Sequence, residues 1–213
     1  MKREIHTTLT PRKSPQQRRS AETIEAIFAA TIQVLRAEGS FDFTTTRVAE
    51  RAGTSVGTLY QYFPNKHALL YAVLSRHLGR IASTFEVSCL KLENQSLEVI
   101  GEGLVRAYLH AKTLDLEASV SLYSAVSHLD ASDLVRDMIY RIRAAIKTVL
   151  INSADAFFSE PDEVAFFLQN MLSGTTRAVF ESLEGEILEA IKKLESGLFI
   201  ICSSYLQKRA SLL

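Results

Sequence analysis

Apolar residues recur at helical spacing along nearly the whole chain. Ile24, Ile27, Phe28, Thr31, Val34 and Leu35 follow the i, i+3, i+4, i+7 rhythm of an amphipathic helix. Ser14-Pro15 offers an N-cap with proline at the first helical position, and Gly39 is placed to end that helix. A short helix is predicted over 45–52, capped by Thr44 and stopped by Gly53. A second covers 56–62 behind Ser55. Pro64 breaks it, and Asn65 caps a longer helix from Lys66 to near Val87. Five more helical stretches follow. Ser96 opens one to near Lys112, Asp115 a shorter one to near Ser127, and Ser132 a long one to near Phe157. Ser159-Glu160-Pro161-Asp162 starts one ending near Ser182, and the last spans about 186–207. No segment alternates apolar and polar positions far enough to make a strand. The pattern predicts an all-α chain of nine helices.

Composition narrows the class. With 213 residues, 47% of them hydrophobic and 23% charged, the chain can bury a substantial core. Two cysteines, Cys89 and Cys202, supply neither a disulfide framework nor a zinc knot, and they suit a reducing compartment. No run approaches the roughly 18 apolar residues of a membrane span. The first residues are basic but lack the apolar run of a signal peptide. A cytoplasmic protein without membrane contact is therefore expected.

Net charge is zero, yet it is unevenly spread. Residues 1–80 hold 12 Lys and Arg against 6 Asp and Glu, whereas residues 81–213 hold 12 against 18. Most of the positive excess lies in the first twenty residues, where Lys2, Arg3, Arg12, Lys13, Arg18 and Arg19 face only Glu4. A basic end on an acidic body is either a solvated tail or a contact for a polyanion. The expected organisation is a basic arm over 1–15, a helix-turn-helix domain over 16–65 and a helical body over 66–213.

The stretch from Thr44 to Pro64 carries the chemistry. Two short helices meet at a turn containing Gly53, where glycine tolerates the left-handed conformation. Val48, Ala49 and Ala52 can pack on Leu59 and Phe63. At 100° per residue, Val56, Leu59 and Phe63 share one face of the second helix, and Gly57, Thr58, Gln61 and Tyr62 the other. Tyr60 lies at the boundary, with its hydroxyl in reach of a phosphate. Thr58 and Gln61 suit base edges, and Gly57 permits close approach to a duplex. Thr44, Ser55 and Asn65-Lys66 mark helix N-termini that suit phosphate oxygens, and Arg47 adds a charge nearby.

Residues 19–75 resemble the N-terminal DNA-binding domain of TetR-family transcriptional regulators. The likeness is carried by Thr44–Ala49, Ala52-Gly53, the run from Ser55 to Lys66, and Ala68-Leu69-Leu70. The resemblance implies a recognition helix over Ser55–Gln61, phosphate contacts from Thr44 and Lys66, and a backbone contact from Tyr60. It also implies an effector pocket and a dimer interface in the C-terminal helices. Many members carry lysine where this chain has Val56, which removes one phosphate contact.

In the body, two seams show heptad rhythm. Val164, Leu168, Met171, Thr175 and Ala178 form one; Ile187, Ile191, Leu194, Leu198, Ile201 and Tyr205 form the other. Val164, Leu168, Met171, Thr175, Ile187, Ile191, Leu194, Leu198 and Ile201 are assigned to a homodimer interface, although such stripes equally suit an internal core. Leu104, Tyr108, His110, Tyr123, Met138, Phe167 and Asn170 are assigned to the effector pocket. The histidines have no companions at metal-ligand spacing, so no metal and no cofactor are expected. The expected function is a homodimeric, ligand-released repressor of palindromic operator DNA. The alternatives are a helical protein-interaction module or an enzyme. Against the latter, no GxSxG, HExxH or phosphate-cradling loop is present, and Gly101-Glu102-Gly103 matches only a fragment of a dinucleotide motif.

Overall fold

The computed structural model describes residues 18–39, 43–125, 129–182 and 187–212. The arm over 1–15, the Ser14-Pro15 cap and the helix ends near Ser127 and Glu186 lie outside them. The described residues form α1 (Arg18–Glu38), α2 (Thr45–Arg51), α3 (Val56–Tyr62), α4 (Lys66–Cys89), a 3-10 turn (Leu90–Leu92), α5 (Leu97–Thr113), α6 (Leu116–Ala125), α7 (Ser132–Ile151), α8 (Pro161–Ser182) and α9 (Ile187–Arg209). The all-α class and nine α-helices agree with the periodicity.

Three local expectations need correction. Helix α7 stops at Ile151 and does not reach Phe157. The reason is tertiary: the Asn152 carbonyl accepts from the Asn94 N–H at 2.8 Å, and Ala154 donates to Gln95 O at 3.0 Å. Leaving the helix there costs little, because both segments satisfy their backbone groups on each other. Second, a two-residue antiparallel pair does exist, β1 (Ala156–Phe157) with β2 (Ser211–Leu212), registering Ala156 with Leu212. It is too short to leave an alternating signature. Third, Ser96 precedes α5 but its side chain makes no capping bond. Asp155 does so instead, its Oδ1 accepting from Leu97 N–H at 2.8 Å.

The chain forms two compact units that do not follow its order. One contains residues up to His77 together with Asp115–Leu134, and the other contains Leu78–Leu114 with Val135–Leu213. Helix α4 thus belongs to both. In the first unit, α1 packs on α2 and α6. Its core includes Ile27, Val34, Val48, Leu59, Phe63 and Leu69, all nearly solvent-free. His77 Nε2 lies 3.0 Å from Ser119 Oγ, and Tyr71 donates to Asp133 at 2.5 Å. Burial first, then that bond, pushes the Tyr71 phenol up to about 12.

In the second unit α9 packs along α5 and α8. Two glycines of α5 sit at close approaches: a Cβ at Gly103 would overlap Leu92 of the 3-10 turn, and one at Gly101 would lie 3.0 Å from Ser203 Oγ on α9. Arg141 bridges Ser83 and Glu86 at 2.9 and 2.5 Å, tying α7 to the second half of α4. Cys89 and Cys202 are both buried free thiols, each pushed up to about 12 by burial. At neutral pH they are protonated and unreactive.

Candidate nucleic-acid interface

The two short helices are held by caps that the sequence announces. Thr44 Oγ1 accepts from Arg47 N–H at 3.4 Å, Ser55 Oγ from Thr58 N–H at 2.9 Å, and Asn65 Oδ1 from Ala68 N–H at 2.8 Å. Each cap satisfies an N–H that the first helical turn leaves without an intrahelical acceptor. Gly39 and Gly53 take φ of 72° and 65°, the left-handed region that glycine enters without strain. Gly53 is therefore what lets α2 turn sharply into α3.

Helix α3 presents two faces. Leu59 is fully buried and Phe63, just past the helix, packs on Phe28 with ring centroids 5.7 Å apart. Val48 and Ala49 of α2 are buried, whereas Ala52 is half-buried. On the outer face Gly57 and Gln61 are exposed and Thr58 is half-buried. Val56 is also half-buried, consistent with an apolar residue at the rim. Lys66 is exposed at the start of α4.

Two predicted phosphate contacts have local partners. Tyr60 is 41% exposed, and its hydroxyl lies 3.1 Å from the hydroxyl of Thr45 on α2. The ring is thereby held across the two helices while its edge stays open. The Arg47 guanidinium pairs with the Glu38 carboxylate at the end of α1. A phosphate approaching Arg47 must share or displace that carboxylate. Thr45 was not singled out by sequence reasoning; its spacing from Tyr60, fifteen residues, gives no local signal.

Residues 27–73 match the family model described as "Bacterial regulatory proteins, tetR family". The likeness to that family lies in residues 27–73, less than half of the chain. This chain is 44% identical over 63 residues to the HTH-type transcriptional repressor KstR of Rhodococcus jostii, covering 29% of each chain. It is 32% identical over 107 residues to the KstR repressor of Mycobacterium tuberculosis, covering 42% of this chain and 48% of that one. The matches thus span less than half the length of these relatives. The fold extends further than the sequence likeness. The FadR regulator of Bacillus subtilis, solved with stearoyl-CoA, superposes with a TM-score of 0.63 at 14% identity, covering 85% of this chain and 98% of that one. The matched residues 27–73 include α3 and the helices that support it.

The body residues chosen from the sequence scatter. Leu104, Tyr108 and Met138 are buried in the second unit, but His110, Phe167 and Asn170 are exposed there, and Tyr123 belongs to the first unit. The Asn170 amide donates to Phe166 O at 2.8 Å, within its own helix. Phe167 stacks on Tyr205 at 4.3 Å. Val164, Leu168, Ile187, Ile191 and Leu198 are buried within the single chain, so they have no surface to offer a second copy. Met171, Thr175 and Leu194 are half-buried, and Ile201 is exposed. Periodicity picked the inward seam because core and interface stripes share the same spacing. The outward apolar residues of α8 and α9 are Phe166, Phe167, Leu188, Ile200 and Ile201.

Sequence reasoning missed Lys112. Its side chain is buried in the last turn of α5, with Nζ 5.9 Å from the centre of the Tyr108 ring. Burial alone pulls its ammonium down to about 8. Nothing in the spacing of Lys112 distinguishes it from a solvated lysine. Among the described residues no helix is long and apolar enough to cross a membrane.

Proposed function

We propose that this chain is a ligand-responsive repressor that binds palindromic operator DNA as a homodimer and releases it when a small-molecule effector occupies the body. The observation that carries this reading is the outer face of a firmly capped α3, with Gly57 and Gln61 exposed and Thr58 half-buried, within the stretch that matches the tetR family model. Seven residues span about 10 Å, short enough to enter a major groove about 12 Å wide. One such helix reads few base pairs, so useful specificity requires two half-sites and hence a twofold dimer. In this reading Thr44, Lys66 and Tyr60 hold phosphates, Arg47 joins them on leaving Glu38, and Ser55, Val56, Gly57, Thr58 and Gln61 form the groove-facing segment.

The domain assignment is an arm over 1–15, a reader over 16–65 and a body over 66–213. The exposed apolar face of α8 and α9, including Phe166, Ile200 and Ile201, replaces the buried seam as the surface for the twin. Buried Leu104, Tyr108 and Met138 fit an apolar effector better than exposed His110, Phe167 and Asn170. The stearoyl-CoA bound by the Bacillus subtilis relative supports a long-chain acyl-CoA as the effector class. A cytoplasmic location follows from this role.

Release requires the effector to favour one conformational state; a 100-fold preference corresponds to about 2.7 kcal/mol. Selecting fragments of genomic DNA with the purified protein tests the reading directly. Enrichment of a palindrome, and its release by stearoyl-CoA, are expected. Equal retention of operator and scrambled duplex would overturn DNA reading, whereas a retained operator indifferent to stearoyl-CoA would overturn only the effector class.

A further inference from the structure

Thr58 lies in the first turn of α3, on the face that carries Gly57 and Gln61. Its hydroxyl is 2.8 Å from Ser55 Oγ, and its backbone N–H donates to that same oxygen at 2.9 Å. The backbone bond caps the helix, and the hydroxyl bond holds the side-chain rotamer with the hydroxyl turned back toward the start of the helix. The γ-methyl is the group left to meet a base edge. In the major groove one base carries a matching apolar group, the C5-methyl of thymine. We infer that Thr58 reads a thymine methyl by apolar contact, with Ser55 as the positioning residue that holds it in that orientation. The inference rests on the operator-binding reading above and adds a base identity to it.

The arrangement also explains why a polar cap and a polar reading residue stand three positions apart. A threonine free to rotate can present hydroxyl or methyl and so discriminates poorly. Tying Oγ1 to Ser55 removes that choice. An apolar contact also costs no hydrogen-bond rearrangement in water-filled groove, whereas a hydroxyl already engaged must first break a bond.

The test uses the full chain and the duplex it enriches from a random library. That duplex is remade with deoxyuridine at each thymine in turn, which deletes the methyl and keeps the pairing. The parent should weaken about fourfold per half-site at one symmetry-related thymine, the change that one buried methyl group carries. Thr58→Ser should bind the unmodified duplex with the same deficit and be indifferent to deoxyuridine there. Thr58→Val, which keeps the branched methyl and the Ser55 bond to the backbone, should retain both affinity and sensitivity. Ser55→Ala should blunt the sensitivity at that thymine. A parent that enriches a duplex but gives a flat deoxyuridine scan would overturn the Thr58 assignment alone. So would a Thr58→Ser variant as sensitive as the parent. A parent that enriches no sequence would sink this assignment together with the operator-binding reading.

Discussion

Helices α3 and α9 solve opposite problems with the same periodicity. Helix α3 has seven residues and buries only Leu59 completely, leaving its other face to Gly57, Thr58 and Gln61. Helix α9 has 23 residues and is apolar on two sides: Ile187, Ile191, Leu198, Cys202 and Leu206 face inward, while Leu188, Ile200 and Ile201 face out. A short helix cannot hold itself together by propensity, so α3 depends on caps and on the helices beneath it. A long one already anchored by its inner stripe can spend its outer face on a partner. An apolar outer face on a well-anchored helix is thus informative in a way that its inner stripe is not.

Paired substitutions on α9 should break this comparison most sharply. Leu198→Asp places a charge in a fully buried site and should cost several kcal/mol, enough to abolish a cooperative thermal melt. Ile201→Asp, on the exposed side, should leave the monomer folded. It should raise the dissociation constant of the proposed dimer tenfold or more, about 1.4 kcal/mol, as read by sedimentation. Equal loss of folding in both variants would refute the two-sided description.

Lys112 supplies the next effect. Its folded-state value near 8, against an ordinary 10.5, means that the unfolded chain binds the proton more tightly. The penalty is complete below pH 8 and fades as pH rises toward 10.5. At 1.36 kcal/mol per pH unit it amounts to about 3 kcal/mol. Lys112→Met should therefore melt higher than the parent at pH 7, and the gap should close in titrations toward pH 10.5. A parallel pair of curves would show that the ammonium is not desolvated.

On α3 the expected effects are on DNA and not on folding. Gln61→Ala should weaken specific binding by about 1–3 kcal/mol with an unchanged melt, since its side chain is exposed. Loss of the melt would place Gln61 in the core. Smaller still is Tyr60→Phe, which removes the bond to Thr45 and should cost about 1 kcal/mol evenly across duplex sequences. A change in base preference would reassign Tyr60 to base reading.

Much of this molecule was legible before any coordinates. Thr44, Ser55 and Asn65 each cap the helix that follows them, and Gly39 and Gly53 adopt the left-handed backbone expected where helices end. These are local devices: the donor, acceptor and permitted backbone angles lie within three or four residues of one another. The outward position of Gly57 and Gln61 was legible for the same reason, because helical rotation alone places them opposite Leu59. The Thr45–Tyr60 bond, the Asp155 cap on α5 and the end of α7 at Asn152 were not legible, since each joins residues far apart in sequence.

Chain order and spacing by themselves determined where helices begin, which side of each is apolar and which polar face α3 shows. Only the packed structure decided which of two apolar sides on α9 is used internally, and that Lys112 loses its water. Those outcomes depend on what occupies the space beside a residue. Local rules assign a residue its angle around a helix, but the neighbour at that angle comes from elsewhere in the chain.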